Sequence, residues 1–297
     1  MTDVAQQLIN WLTLGGIYAL LALGIAMVFS ILGLINFAHG ELVTISGYSM
    51  VALVSLGVPW ALIIPLSVLA AMVAAVMMER VVFRPLRTAP VSALLLASLA
   101  LSIVIQNIFL LFVGARPKAI DFPTWTSSNF HLGGVVIQWM DVATWVVTAV
   151  VLFGVLLFLK HSVRGLALRA AAEDFQTTRL MGIRASGVIR GAFAVSGLLA
   201  GVAAFFFLAT ASLVGPGTGF IPLLNGFIAA VIGGLGSLSG AVLGGFVLAG
   251  LNVFFQLVLP DSLLPFSEAI VFGFVILVLL ARPNGLMAAR SVAVERA

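Results

Sequence analysis

Apolar residues run almost without interruption through this chain, and the few places where they stop define its elements. Leu8 to Leu32 is apolar over a length that crosses a hydrocarbon core of about 30 Å at about 1.5 Å per helical residue. It leads into LGLINFAHGE, Leu32 to Glu41, where Asn36, His39 and Glu41 break the pattern, and a shorter apolar stretch follows to Leu56. Pro59 to Phe83, Pro90 to Gly114 and Val142 to Leu159 are three further spans, and Ser186 to Ala209 is a sixth. A second break, GPGTGFIP from Gly215 to Pro222, precedes another short apolar run through Gly226 to Ile232. GGLGSLSGAVLGG, Gly233 to Gly245, turns the chain into an eighth span; Pro260 to Pro265 forms a turn, and Glu268 to Ala281 is the last. The runs are long and lack the in/out alternation of lipid-facing strands, so they predict an all-α, polytopic helical membrane protein, a single domain over residues 1–297.

Both halves carry the same irregularity: a full span, a break containing Gly, Asn or Pro, then a short apolar segment. Loose backbone at membrane depth is tolerated only where protein or a water-filled cavity receives it, so paired breaks point to a transport pathway. The residues this selects are Asn36, His39 and Glu41 in the first break and Gly215, Gly217 and Asn225 in the second. Five spans before residue 160 make the two halves run in opposite senses, which admits an inverted repeat. His39 and Glu41 have a second reading, as polar residues at the water interface that orient a turn. Gly197 and Gly201 form a GxxxG pair, and Gly236, Gly240 and Gly244 a four-residue ladder; both are assigned to helix packing. Gln106 and Asn107, inside the fourth span, are expected to face other helices or a cavity.

Charge adds orientation. Charged residues make up only 8% of the chain, and the net +4 comes from arginines at span ends, which reports topology and not nucleic-acid binding. The basic clusters at 80–87, 160–190 and 282–296 are separated by even numbers of spans and are all placed in the cytoplasm. The segment 115–141 has two basic and two acidic residues beside Trp125 and Trp139, which suits a periplasmic loop, and FHLGGVVIQW within it reads as a small hairpin. Three spans before Arg80 put the N-terminus outside, whereas a re-entrant second segment puts it inside, so the count is eight or nine membrane segments. With Arg80 the first basic residue, no cleaved signal peptide is expected.

The segment 160–190 holds six of the fourteen Lys and Arg residues together with Glu173 and Asp174, too much charge for any span. RAAAEDFQTTRLMGI, Arg169 to Ile183, has the composition of a short cytoplasmic helix stopped by Gly182. Arg169 and Glu173 are four apart and can pair, while Leu168, Ala172 and Phe175 share a face. The residues alone allow either a docking helix or a solvated loop whose arginines fix topology. Catalytic and cofactor motifs are missing from the sequence: His39 and Glu41 lack the HExxH spacing of a zinc site, and there is no Walker A loop, Rossmann fingerprint or nucleophile with its base. The absence of cysteine excludes disulfides and thiolate chemistry.

Taken together, GLINFAHGE, RAAAEDFQTTRLMGI and GGLGSLSGAVLGG resemble the permease family of bacterial ABC importers for branched-chain amino acids, in order and over nearly the whole chain. The resemblance implies a multi-pass inner-membrane subunit, embedded in the lipid bilayer, that works with a homologous second permease, two cytoplasmic ATPase subunits and a periplasmic binding protein. It implies no cofactor bound by this chain, since ATP is used by the partner subunits, and no enzyme activity of its own. In such importers the cytoplasmic loop forms a coupling helix, whose residues here are Leu168, Arg169, Ala172, Glu173, Asp174, Phe175 and Gly182. The order at 172–174 is A-E-D where the general pattern has E-A-A, so the loop carries over and not each letter. Asn225 stands two residues before Phe227 in a region where related permeases often have a Lys, which leaves ligand preference open between branched-chain amino acids and the urea or short amides of close relatives. An ion-coupled secondary transporter is the rival from another class. It would need ionisable groups in mid-membrane, and the sequence places Glu41 and Glu268 near span ends.

Overall fold

The computed structural model of the chain describes residues 2–132, 134–173, 175–283 and 285–287. Helix α1 (Thr2–Leu32) is followed by a 3-10 turn at Phe37–His39, α2 (Gly40–Ser55) and α3 (Trp60–Met78), which continues into a π-helical turn at Glu79–Phe83. Then come α4 (Val91–Phe112), β1 (Lys118–Ala119), β2 (Asn129–Leu132), β3 (Val135–Gln138) and α5 (Trp139–His161). Two short helices follow, α6 (Val163–Glu173) and α7 (Phe175–Leu180), and then α8 (Ala185–Ala211), β4 (Leu213–Val214), α9 (Phe220–Gly233), α10 (Leu238–Val258) and α11 (Ser267–Ala281). Among the described residues, eight helices are long and apolar enough to cross a membrane, with α9 shorter. The fold is that of a polytopic helical membrane protein.

The N-terminal end of α1 lies against the 115–141 loop: Gln6 Oε1 accepts from the Val136 N–H at 3.0 Å, and the Thr13 hydroxyl donates to Asp141 at 3.0 Å. The turn between α2 and α3 sits at the same end, where Trp60 stacks on Phe122 with ring centroids 5.0 Å apart. Helix α1 also packs on α6, at the arginine-rich end. The second apolar segment therefore runs toward the end that carries the 115–141 loop, the end at which α1 begins.

The packing is reciprocal. Helix α10 lies along α1 as α3 lies along α8, and α9 packs on α1 as α2 packs on α8. This exchange is what two inverted halves, α1–α4 and α8–α11, produce when they interleave. Lipid supplies no hydrophobic force between helices, so close backbone approach and dispersion hold the seams. Gly197 and Gly201 admit α3, and a Cβ on them would stand 2.8 Å from Met72 Cα and 2.8 Å from Val68 Cα. On the other half, a Cβ on Gly245 would stand 2.6 Å from Ala19 Cα. The ladder expected at Gly236, Gly240 and Gly244 is shorter than its spacing implies. Gly240 and Gly244 face α9, at Gly233 and Ala229, but Gly236 lies in the turn before α10 with φ +94°. A left-handed residue cannot continue a helix, which removes Gly236 from the packing face.

The hairpin forms, with Asn129 opposite Gln138 and Leu132 opposite Val135. A second antiparallel pair joins β1 to β4, Lys118 opposite Val214, and ties the outer loop to the second break.

This topology makes a labelling prediction. The native chain has no cysteine, and Val4, Ser127 and Thr177 are all exposed, so single cysteines there give a clean readout. A membrane-impermeant thiol reagent applied from outside should modify Val4→Cys and Ser127→Cys and leave Thr177→Cys untouched until the membrane is permeabilised. Labelling of Thr177→Cys in intact cells would overturn the orientation; protection of Val4→Cys alone would remove one segment from the count.

Candidate functional site

The two breaks meet inside the bundle. After α1, the chain turns at Gly33, and the Asn36 side chain caps the 3-10 turn by accepting from the Ala38 N–H at 3.0 Å. The Phe37 N–H donates to Ser98 Oγ of α4 at 3.2 Å. In the other half, Ser212 adopts φ 54° to end α8, the Gly215 N–H donates to Thr218 Oγ1 at 2.7 Å, and the Gly219 N–H donates to Thr44 Oγ1 of α2 at 3.0 Å. Gly40 and Gly219 are in backbone contact, with no room for a Cβ on either. Helices α2 and α9 thus begin at one place, α2 running to the outer side and α9 to the cytoplasmic side. Their positive dipole ends converge where the irregular backbone of both halves is shielded from lipid.

A polar cluster surrounds this junction. Asn36, His39, Glu41, Thr44, Ser196 and Asn225 are all buried. His39 Nδ1 is 3.1 Å from Ser196 Oγ of α8, and the imidazole lies over Gly24 of α1, where a Cβ would come within 3.1 Å of it. Glu41 Oε1 accepts from Ser102 Oγ at 2.8 Å and from Gln106 Nε2 at 2.7 Å, both on α4. Glu41 Oε2 and His39 Nε2 have no hydrogen-bond partner. His39 and Glu41, at 1% and 2% exposure, are therefore not the water-interface residues of the second sequence reading. Glu41 stands near the start of its span, as its place in the sequence suggests, but is enclosed by protein there. The other selected residues divide: Asn225 is buried in the second turn of α9, whereas Gly215 is 3.7 Å from Pro117 of the outer loop and Gly217 faces open space.

Ser102 and Gln106 were outside the selected set, yet they carried a signal. Ser98, Ser102 and Gln106 recur every four residues, a polar stripe on one face of an apolar span. Asn107 is not part of it; it is exposed and donates back to Ile103 O at 2.7 Å.

The segment 160–190 holds α6 and α7, with Gly182 at φ +83° after the second. A Cβ at Gly182 would meet nothing within 4 Å, so a substitution there strains only the backbone, by about 1 kcal/mol or more. The helical segment begins earlier than Arg169, and helix is described on both sides of residue 174, which itself lies outside the described residues. Leu168 corrects the docking stripe: it is 3% exposed and its methyls reach Gly191 of α8, so it anchors α6 to the bundle and is not free to contact a partner. Exposed apolar side chains among the described residues here are Val163, Leu166, Leu180 and Met181. The Arg169–Glu173 pair does not form; Glu173 is the exposed last residue of α6, whereas Arg169 Nε is buried without a partner. Ala172 is half-buried, and Asp174 and the Phe175 side chain lie outside the described residues. A cleft of about 850 Å³ separates these helices from α8, lined by Leu168, Glu173, Thr177, Met181, Ile183 and Arg184 among others. Nearby, Glu79 is a fully buried acid; it pairs with Arg87, and its Oε2 is 4.0 Å from Arg190 Nε of α8.

Comparison with known proteins decides the family. Residues 7–280 match the family model described as branched-chain amino acid transport system / permease component. The chain belongs to this permease family. It is 40% identical over 296 residues to the high-affinity branched-chain amino acid transport system permease protein BraD of Pseudomonas aeruginosa, covering 95% of both chains. It is 33% identical over 294 residues to the corresponding protein LivH of Escherichia coli, covering 95% of this chain and 94% of that one. This permease is a multi-pass protein of the bacterial inner membrane and one component of a larger transport system. Its two interrupted helices are the parts that a bundle built only to anchor in lipid would not need.

The junction makes a matched pair of substitutions informative. Gly219→Ala puts a methyl into the Gly40 backbone and should lower uptake at least tenfold, together with thermal stability. Gly217→Ala, two residues away with nothing within 4 Å of its Cβ, should behave as wild type. Wild-type uptake by Gly219→Ala would show that the contact is dispensable.

Proposed function

We propose that this chain is the membrane permease of an ATP-driven importer that moves branched-chain or other small apolar amino acids from the periplasm to the cytoplasm. The observation that carries the reading is the meeting of α2 and α9 at Gly40 and Gly219 beside buried Glu41 and His39. Convergent helix N-termini and a lone carboxylate, in an otherwise apolar bundle, suit a small zwitterion with an apolar side chain. The names of the relatives, which specify branched-chain amino acids, support the same class. In this reading a homologous second permease completes the pathway, a periplasmic binding protein delivers substrate near the 115–141 loop, and two cytoplasmic ATPase subunits hydrolyse ATP. Segment 160–190 is the coupling element, docking through Glu173 and the exposed apolar residues Leu166, Leu180 and Met181, with Gly182 setting the turn.

The burial of Glu41 gives the rival some footing, since a buried carboxylate is what an ion-coupled carrier needs. Energy source separates the two. Uptake of leucine by the reconstituted four-subunit transporter with its binding protein should require ATP inside the ATPase compartment and persist when ionophores collapse the proton and sodium gradients. Uptake that follows the gradients and ignores ATP would overturn the proposal, and uptake of urea in place of leucine would move the substrate class. Truncating an interface anchor costs about 2 kcal/mol, about thirtyfold in affinity. Met181→Ala with Glu173→Lys should therefore leave the permease inserted while cutting ATPase co-purification and substrate-stimulated hydrolysis by at least tenfold. Unchanged values at wild-type expression would return the segment to a role in topology alone.

A further inference from the structure

Two side-chain carboxylates are fully buried among the described residues, and their surroundings differ in one respect. Glu79 lies between the guanidinium groups of Arg87 and Arg190. Glu41 has only neutral donors around it: the Ser102 hydroxyl and the Gln106 amide, both on Oε1, and the Thr44 hydroxyl one turn along α2. Oε2 is left without a partner. A buried carboxylate with no cation beside it is costly, and removing that cost takes a positive group brought close to it. The described residues contain no Lys, Arg or His that makes an ion pair with Glu41.

The position is reachable. Glu41 occupies the first turn of α2 and is covered on the α4 side by Gln106, which is only half-buried, while the next residues on α4, Asn107 and Ile108, are exposed. Seven residues outward on the same face of α2, Tyr48 stacks on Phe109 of α4 at 4.2 Å and closes the seam on that side. Thr44, one turn on from Glu41, holds the Gly219 N–H and so links the seam to the junction of α2 and α9. The carboxylate thus stands beside two converging helix N-termini whose partial positive charge suits an anion.

We propose that Glu41 Oε2 receives the α-ammonium group of the transported amino acid, with Gln106 as the side chain that moves aside to admit it. The ligand's own carboxylate then faces the N-terminal ends of α2 and α9, and the two charges of the zwitterion are matched separately. This rests on the amino-acid reading above and deepens it: the site selects for an ammonium group, which urea and simple amides lack.

Glu41→Gln is a clean variant, because a glutamine Oε1 still accepts from Ser102 and Gln106 while the charge is gone. The assembled transporter, both permeases and both ATPases in lipid nanodiscs without the binding protein, is titrated with radiolabelled leucine and with its des-amino analogue, 4-methylpentanoate. Wild type should prefer leucine. Glu41→Gln should weaken leucine binding at least tenfold, erase that preference, and keep wild-type thermal stability and ATPase co-purification; Glu41→Asp should retain part of the preference. Leucine binding and preference unchanged in Glu41→Gln would overturn the assignment and leave Glu41 as a hydrogen-bonding tie between α2 and α4. A wild-type transporter that neither binds nor takes up leucine would instead refute the amino-acid reading itself.

Discussion

Backbone polar groups in a bilayer must be satisfied by the protein, and this fold depends on how that constraint is met at two places where helices stop short. The chain leaves the helical state after α1 and again after α8, and each break would be untenable against lipid. Bringing the breaks together solves both at once: the Gly219 N–H finds Thr44, the Phe37 N–H finds Ser98, and the two turns cover each other at Gly40 and Gly219. The remaining helices can be understood as the wall that keeps lipid away from this junction. Helices α1 and α8 are accordingly the most buried spans, and α4 and α11 the least.

The wall is held by close approach more than by apolar side chains, because Leu on Leu gains little where the solvent is itself hydrocarbon. Small residues lie where the long helices cross: Gly197 and Gly201 against Val68 and Ala71, and Gly245 against Ala19. The seams repeat across the two halves, so a motion that opens one half of the junction has an equivalent in the other. Such pairing suits alternating access, in which halves rock about a shared site.

Charge is used sparingly and locally. At the cytoplasmic end, Glu79 draws Arg87 and Arg190 together across α3, the inner loop and α8, at the π-helical turn that ends α3. Phe83 and Phe193 pack beside it with ring centroids 5.2 Å apart. Since α8 leads directly from α7, this tie joins the segment 160–190 to the transmembrane body. Leu168 makes a second joint, inserting α6 against α8 at Gly191. Force applied at α6 and α7 thereby reaches α8, whose Ser196 touches His39 at the junction.

The sequence by itself determined the spans, the arginine clusters at their ends, the two breaks, the hairpin and the glycine stop at 182. Each of these follows from a local sum: hydropathy over a membrane's thickness, arginine count at a span end, or the φ that one residue tolerates. What tertiary structure decided was everything that depends on which distant residues meet. The direction of α2 was decided by Gln6 and Trp60 reaching the 115–141 loop, which puts the end of α2 beside the start of α1. The β1–β4 pair was invisible because two residues on each side carry no periodicity. Leu168 and Ala172 looked alike on a helical wheel, yet only Leu168 is pinned by α8. Glu41 read as a residue near a span end, which it is, but hydropathy does not record what encloses it there. Its burial, its neutral neighbours and its unpartnered oxygen come from α4, more than sixty residues later in the chain, and such long-range pairing is written in packing and not in local composition.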